Sequence, residues 1–182
     1  MDNHEFIIRE LLEMGVDVTP GYPFAACFVD AADRVVVTAC SACHISPIYT
    51  AEALAVHMLC TRYSARDGQA LTLFTTALPE PVGLGAIHWA NVMGYNINQV
   101  VYGASRETIS QIWGGDKEVA CSELIGQLKA SGIEITGPVI EDECRNVFEM
   151  GKGLIDGGEC PVLSLELEDF WMAGDWLDLD IE

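Results

Sequence analysis

The spacing of apolar positions in the first forty residues predicts one helix followed by a β-hairpin. Residues 3–15 repeat apolar side chains at helical spacing, which predicts an amphipathic helix that ends at Gly15. Residues 25–30 and 34–39 are two apolar runs typical of β-strands, separated by the short segment 31–33. We therefore expect these two runs to pair as neighbouring antiparallel strands.

The rest of the chain alternates between helical and strand patterns. Ser46-Pro47 combines a capping hydroxyl with a proline, which predicts a helix from there to about Tyr63. The later predicted elements are a strand at 70–76, a helix at 83–93, a strand at 99–102, helix and loop at 108–128, a short strand at 132–136, a helix at 141–154 and a strand at 162–167. This alternation indicates a three-layer α/β domain.

Length and hydropathy favour one globular domain. The chain has 182 residues, half of them hydrophobic, which is enough for a sizeable core. No apolar run reaches the length of a membrane span, and the first residues lack the basic region of a secretory signal. We expect a single domain over residues 1–182, with 155–182 as a C-terminal extension, in a cytoplasmic protein without a membrane partner.

The charge balance restricts the class of partner. The net charge is −19, from 28 acidic and 9 basic residues, and there is no basic cluster. Proteins that bind nucleic acid neutralise phosphates with Lys and Arg, so nucleic acid is not an expected partner. A small neutral or cationic ligand agrees better with this composition, although acidity also serves solubility alone.

The cysteine pattern favours free thiols. The count is odd and the neighbouring residues are apolar, which argues for buried thiols and against disulfides. The seven cysteines are Cys27, Cys40, Cys43, Cys60, Cys121, Cys144 and Cys160. The pair Cys40-x-x-Cys43 stands alone and supplies only half of a typical metal site.

Five segments resemble the motifs of one superfamily, in the same order along the chain. They are YPFAACFVD at 22–30, SPIYTAE at 46–52, LPEPVGLGAIHWA at 78–90, VVYGAS at 100–105 and ITGPVIEDECR at 135–145. They resemble VPFGAVIVD, DPTAHAE, EPCPMCLGAIxWA, VVYGAS and VTGGVLEEECR of the cytidine deaminase-like superfamily, closest to its tRNA adenosine deaminase and guanine deaminase branch. The resemblance spans roughly residues 5–150. It implies that superfamily's α-β-α fold with a mixed central sheet.

The resemblance also shows where this chain departs from the superfamily. Zinc in that superfamily is bound by one His and two Cys, and a Glu transfers protons to and from the zinc-bound water. The His position is Thr50, the two Cys positions are Glu80 and Gly83, and the proton-transferring Glu is kept as Glu52. With these three replacements, no metal site and no cofactor are predicted. Without zinc the pKa of the attacking water stays at about 15.7 instead of about 7.

The two glutamates are the predicted catalytic residues. If the resemblance holds, Glu52 and Glu80 face one pocket, where either a cationic ligand or a proton relieves their mutual repulsion. Such a pair predicts an enzyme that works without zinc on a small nitrogen-containing ring or cation, with Glu52 as general acid and base. The alternative is that Glu80 points to solvent and Glu52 only makes hydrogen bonds near the start of its helix.

Two other functions stay open at this point. A non-catalytic subunit that binds a ligand or a partner protein is consistent with the loss of every zinc ligand. The other alternative is a hydrolytic deaminase with a metal site rebuilt from Cys40, Cys43, His44, His57 or His88. A lesser alternative is a different metal, such as magnesium or manganese, held by the two carboxylates and water.

The resemblance also indicates which residues are candidates for binding the ligand. They are Phe24, Thr50, Pro79, Gly83, His88, Trp89 and, in the C-terminal extension, Trp171. The extension is expected to form a lid or a dimer contact through Phe170, Trp171 and Trp176, because the guanine deaminase branch uses its C-terminal segment in this way. The resemblance further implies a homodimer. The superfamily's substrate-contacting Asn is missing near residues 39–41, so the resemblance does not extend to guanine or adenosine as the substrate.

Overall fold

A six-stranded mixed sheet forms the centre of the molecule. The computed structural model describes residues 3–65, 68–114, 118–159 and 171–173. The strands are β1 (Ala25–Asp30), β2 (Val35–Cys40), β3 (Ala70–Ala77), β4 (Asn96–Ala104), β5 (Glu134–Thr136) and β6 (Trp171–Ala173), in the order β5-β4-β3-β1-β2-β6. β1 pairs antiparallel with β2 and β3, β2 pairs antiparallel with β6, and β3, β4 and β5 are parallel. The predicted hairpin is confirmed.

Helices cover both faces of this sheet. They are α1 (Asn3–Val18), α2 (Ala51–Arg62), α3 (Pro81–Val92), α4 (Arg106–Trp113), α5 (Glu118–Ala130) and α6 (Glu141–Asp156). α1 and α6 pack on one face, with α4 against α6, while α2, α3 and α5 pack on the other. The predicted three-layer α-β-α architecture with a mixed central sheet is therefore confirmed.

The position of β1 in the middle of the sheet explains why this strand is almost wholly apolar. All six residues of β1 are buried, because β1 lies between β2 and β3 with α1 on one face and α2 on the other. Strands covered on both faces lose the alternation of polar and apolar side chains that a half-exposed strand shows. The largest fully buried side chains include Ile7, Leu11, Phe28, Met58 and Phe148.

Two predicted helix boundaries are wrong. Ser46-Pro47 does not begin a helix: the Tyr49 amide donates to the Ser46 carbonyl at 2.9 Å in a turn, and α2 begins at Ala51. Gly15 does not end α1, which continues to Val18. A Cβ at Gly15 would lie 2.7 Å from the Pro23 carbonyl oxygen, so this glycine allows a close contact between α1 and the loop before β1.

The C-terminal segment gives one strand that the pattern did not predict. The strand predicted at 162–167 lies outside the described residues, whereas residues 171–173 form β6 on the edge of the sheet. Six cysteines lie in the described part, and all six are free, as predicted. The expectation that they are buried is wrong for Cys60, which is exposed, and Cys43 is only half-buried. None of the described helices combines the length and the apolar character that a membrane crossing requires.

Candidate functional site

A cavity of about 190 Å³ opens where β3 ends and the chain passes into α3. The carboxyl ends of parallel strands are the usual place for ligands in α/β sheets. One wall, which we call the α2 wall, consists of Ser41, Cys43, Thr50, Ala51 and Glu52. The opposite wall, which we call the α4 wall, consists of Tyr22, Phe24, Arg106, Ile109 and Trp113. Ala77, Leu78 and Glu80 lie between the two walls.

Glu52 is the buried acid of the α2 wall. Thr50 precedes α2, and its hydroxyl accepts a hydrogen bond from the Ala53 amide at 3.3 Å, which places Glu52 in the first turn of the helix. Only 6% of Glu52 is exposed. The hydroxyl of Thr75 on β3 donates to Glu52 Oε1 at 2.6 Å, so the carboxyl group is oriented by a strand in the core.

Burial raises the pKa of Glu52 above its ordinary value, because the charged form loses its hydration. Hydrogen bonds from Thr75, from the backbone and from Thr50 act in the opposite direction but do not cancel the effect of burial. The nearby negative charge of Glu80 raises the pKa further. Glu52 is therefore biased towards the protonated state, in which a carboxyl group can donate a hydrogen bond or a proton.

Gly83 packs directly against Glu52. A Cβ at Gly83 would lie 3.1 Å from the Glu52 Cβ, 3.2 Å from the Pro79 Cβ and 3.3 Å from Glu52 Oε2. The first turn of α3 and the first turn of α2 are thus in close contact at the cavity. Gly83 therefore lies between Glu52 and Pro79, while Glu52 itself lines the cavity.

Glu80 has a partner that the sequence reasoning missed. It precedes α3 without capping that helix, and its Oε1 accepts a hydrogen bond from Arg106 Nη1 at 3.1 Å. The second terminal nitrogen of Arg106, Nη2, donates to the Leu78 carbonyl at 3.1 Å. The expectation of two carboxylates relieved only by a cationic ligand or a proton is therefore corrected, because the protein supplies a guanidinium. The position of Arg106 in the sequence could have indicated this partner, because Arg106 directly follows the VVYGAS segment.

Three of the five residues of the α4 wall lie on one face of the short helix α4. Arg106, Ile109 and Trp113 stand three and seven residues apart, so they project from the same side of α4. The Trp113 ring stacks on Tyr22 with centroids 5.3 Å apart and an angle of 21°, and it meets Phe24 at 6.0 Å. Broad aromatic faces of this kind suit flat ring ligands.

Glu141 anchors α4 from the neighbouring helix α6. Its Oε1 accepts hydrogen bonds from the Ser105 amide at 3.2 Å and from the hydroxyls of Ser105 and Thr108. The hydrogen bonds from Ser105 and Thr108 lower the pKa of Glu141. A carboxylate at the start of α4 also interacts favourably with the helix dipole. Glu141 therefore sets where the α4 wall stands.

The residues around Glu52 do not fit a zinc ion. Thr50 accepts a hydrogen bond as the cap of α2, Gly83 has no side chain, and Glu80 is paired with Arg106. Protein zinc sites use three or four Cys, His or carboxylate ligands. Within residues 3–65, 68–114, 118–159 and 171–173, no group of three or more His, Cys, Asp or Glu side chains is placed to hold a metal.

The predicted site residues divide into two groups by position. Phe24, Thr50, Glu52 and Glu80 line the cavity, Gly83 packs beside Glu52, and Pro79 packs beside Gly83. The lining does not include two residues on α3, His88 and Trp89, and Trp89 is 64% exposed. The backbone of Trp171 lies in β6 opposite Ala39. A ligand contact by His88, Trp89 or Trp171 stays a prediction.

A second hollow, of about 380 Å³, lies at the opposite end of the sheet. Its charged groups satisfy each other: Arg34 Nη2 lies 2.7 Å from Asp30 Oδ2. The Tyr95 hydroxyl likewise donates to the Tyr63 carbonyl at 2.7 Å. The smaller cavity combines a buried acid, a guanidinium and aromatic faces, so we assign the functional site there.

Comparison with solved structures identifies the fold. A guanine deaminase from Nitrosomonas europaea superimposes with a TM-score of 0.66 at 22% identity, over 80% of this chain and 82% of that chain. The fold is that of the cytidine deaminase-like proteins. The protein NE0047 in complex with 2,6-diaminopurine gives a TM-score of 0.67 at 22% identity, over 84% of this chain and 83% of that chain.

The likeness extends to a nucleic-acid-modifying deaminase of the same fold. A tRNA:A34 deaminase superimposes with a TM-score of 0.55 at 19% identity, over 78% of this chain and 99% of that chain. No family model matches the sequence, and no curated protein is significantly similar to it. The likeness to these proteins is therefore one of fold, at 19–22% sequence identity.

Proposed function

We propose that this protein is a zinc-independent enzyme of the cytidine deaminase-like fold that acts on a small, flat, nitrogen-containing ring. The observation that carries the proposal is the buried Glu52, which lines the cavity and is held by Thr75. Burial raises its pKa, as expected of a group that exchanges protons with a substrate near neutral pH. In this proposal the three zinc ligands of the superfamily are replaced by Thr50, Glu80 and Gly83.

Glu52 acts as general acid and then as general base. The protonated carboxyl group gives its proton to a ring nitrogen of the substrate, and the resulting carboxylate later takes a proton back. Thr75 holds Oε1 in place during both transfers. The stacked Tyr22 and Trp113 bind the face of the ring. This chemistry needs no bound metal, in agreement with the donor groups present around Glu52.

Support for a ring as the substrate comes from the proteins of the same fold. The neighbours include a guanine deaminase and NE0047 in complex with 2,6-diaminopurine, and both names refer to flat heterocycles. The aromatic faces of the α4 wall have the shape that such rings require. The Glu80–Arg106 pair shifts the preference away from the cationic ligands that the overall charge suggested.

The proposal is tested by screening turnover of nitrogen heterocycles with the full chain and then with Glu52→Gln. Removal of a general acid and base is expected to lower kcat by about 100- to 10,000-fold. Glu107→Gln, on the exposed side of α4, is the matched control and should leave kcat unchanged. Elemental analysis should find no stoichiometric zinc, and a chelator should leave turnover intact. Unchanged kcat in Glu52→Gln would refute the proposal.

A non-catalytic subunit that binds a ligand or a partner protein is the second candidate. The observation that favours it is the pairing of Glu80 with Arg106, because an acid that is already paired within the protein is less available for chemistry on a ligand. A heterocycle that binds to the full chain without being converted, with Glu52→Gln binding equally well, would support this candidate. Isolation of a stable complex with an active deaminase would support it further.

Two copies of this chain are expected to associate through α3. Val82, Trp89, Val92 and Met93 form an exposed apolar strip on this helix, with Trp89 64% and Met93 69% exposed. α3 also carries Gly83 beside Glu52, so the interface would adjoin the cavity. Light scattering should show a dimer that Trp89→Glu converts into a monomer, while Met150→Glu on α6 should remain a dimer. A monomeric wild-type protein would contradict this expectation.

A further inference from the structure

The α4 wall presents hydrogen-bond donors to the cavity. Arg106 and Trp113 both line it, and Ile109 lies between them on the same face of α4. A guanidinium and an indole can donate hydrogen bonds but cannot accept them. The chemistry of this wall is therefore complementary to a ligand that carries acceptors.

Two of these donors have no partner within the described residues. Nε of Arg106 and Nε1 of Trp113 are both buried without a hydrogen bond. Buried donors without partners are rare in folded proteins, and each calls for a specific explanation. Both atoms are fully buried, so a ligand in the cavity reaches them only when the two side chains turn towards it. Their joint occurrence in side chains that line one cavity points to a ligand that brings the missing acceptors in this way.

The position of the arginine strengthens this argument. The chain has only 9 Lys and Arg against 28 Asp and Glu. Nevertheless the Arg106 side chain, 11% exposed, is placed at the cavity. Such placement suits recognition of oxygen atoms, because the guanidinium matches planar oxygen acceptors well.

Glu80 occupies the position on Arg106 that a ligand oxygen would take. Its carboxylate is 40% exposed, accepts from Nη1 at 3.1 Å and does not cap α3. A ring oxygen that replaced it could bind the same guanidinium, with the carboxylate turning towards solvent. Glu52 complements this arrangement on the opposite wall, since its raised pKa favours the protonated, donating form.

We infer that the cavity selects flat rings bearing oxo or carboxylate acceptors, bound through Arg106 with Trp113, over rings that carry amino groups at the same positions. The inference rests on the proposed function, because it assumes that this cavity is the substrate site. Glu80 competes with the ligand for Arg106, and Arg106 is the residue that determines specificity.

Isothermal titration calorimetry of the full chain with xanthine and 2,6-diaminopurine tests the inference. The two purines have oxo or amino groups at the same two ring positions. Xanthine should bind at least 10-fold more tightly. Arg106→Gln should weaken xanthine binding at least 10-fold and change 2,6-diaminopurine binding less than 2-fold. The exposed Arg34→Gln, at the other end of the sheet, is the control that should change neither.

Glu80→Gln supplies a readout that does not depend on how well Arg106→Gln folds. It removes the competing carboxylate, so xanthine should bind several-fold more tightly than to the wild type. A merely structural Glu80–Arg106 pair would instead leave binding unchanged or weaken it. That result would overturn the inference, as would equal binding of the two purines, tighter binding of 2,6-diaminopurine, or binding of neither.

Failure of the inference can be distinguished from failure of the proposed function. If Glu52→Gln abolishes turnover while the two purines bind equally, only the inference fails. If xanthine binds preferentially through Arg106 while no turnover depends on Glu52, the inference stands and the protein is a binding subunit.

Discussion

The two walls of the cavity differ in how they are built and in what they contribute. The α2 wall holds one buried acid, Glu52, whose protonation is controlled by burial and by Thr75. The α4 wall holds Arg106 and Trp113, on a short helix that Glu141 anchors, together with Tyr22 and Phe24 from the segment before β1. In the function proposed above, the α2 wall supplies the acid and base and the α4 wall recognises the ligand, so changes in each wall should have different consequences.

Thr75→Val should have the largest effect, and it should act on the α2 wall alone. Loss of the hydrogen bond to a buried carboxyl group is expected to lower the free energy of unfolding by roughly 1–3 kcal/mol. The pKa of Glu52 should rise further, because Thr75 stabilises the charged form. Urea denaturation and NMR titration of the Glu52 carboxyl carbon measure the two effects.

The pH dependence gives a second test of this variant. Since the folded-state pKa of Glu52 is raised, folding favours its protonated form, and stability should fall as pH rises from the unfolded pKa through the folded pKa. Thr75→Val should extend this decline to higher pH. Thr72→Val, on the same strand but half-buried and away from Glu52, is the control. An unchanged Glu52 pKa in Thr75→Val would contradict our account of the α2 wall.

Gly83→Ala compared with Gly85→Ala should give a smaller effect. Alanine favours a helix over glycine by about 1 kcal/mol, and a Cβ at Gly85 meets nothing within 4 Å. At Gly83 the new methyl group would lie 3.1 Å from the Glu52 Cβ, so Glu52 must shift. Gly83→Ala should therefore be less stable than Gly85→Ala by about 1–2 kcal/mol in thermal or urea unfolding. Equal stabilisation by both variants would mean that Glu52 shifts away from the new methyl group without lowering the free energy of unfolding.

Glu141→Gln should have the smallest effect on stability, about 1 kcal/mol, and should act on the α4 wall. Ligand affinity should fall because Arg106 and Trp113 are less well positioned, whereas the pKa of Glu52 should not change. The folded-state pKa of Glu141 is lowered, so its stabilising effect is present above the unfolded pKa and is lost as pH falls through the folded pKa. The neighbouring, exposed Asp142→Asn should show neither change in denaturation or calorimetry.

Several residues at and beside the cavity could be predicted from the sequence. The resemblance placed Thr50, Glu52, Pro79, Glu80 and Gly83 at one site; in the structure Thr50, Glu52 and Glu80 line the cavity, and Gly83 packs against Glu52 and Pro79. Short motifs on consecutive elements of a known fold carry this information, because their order along the chain fixes which loops meet at the end of the sheet. Helix boundaries were less predictable: Ser46-Pro47 has the composition of a helix start, yet Thr50 makes the capping hydrogen bond.

The α4 wall could not be predicted in the same way. Arg106, Ile109 and Trp113 form no motif, and their common direction depends on α4 beginning at Arg106. Tyr22 lies about ninety residues earlier in the chain than Trp113, and only folding stacks the two rings. The pairing of Arg106 with Glu80 likewise joins the first residue of α4 to the residue that precedes α3.

The amino-acid sequence by itself determined the layered α/β architecture and the hairpin of β1 and β2, and it singled out Glu52 as a candidate site residue. Hydrophobic periodicity and short motifs act locally, so they can be read along the chain. Only the tertiary structure decided that Glu52 is buried against Thr75 and Gly83, that Arg106 neutralises Glu80, and that an aromatic wall faces the acid. Protonation and ligand recognition depend on burial and on contacts between distant segments, and these exist only once the chain is folded.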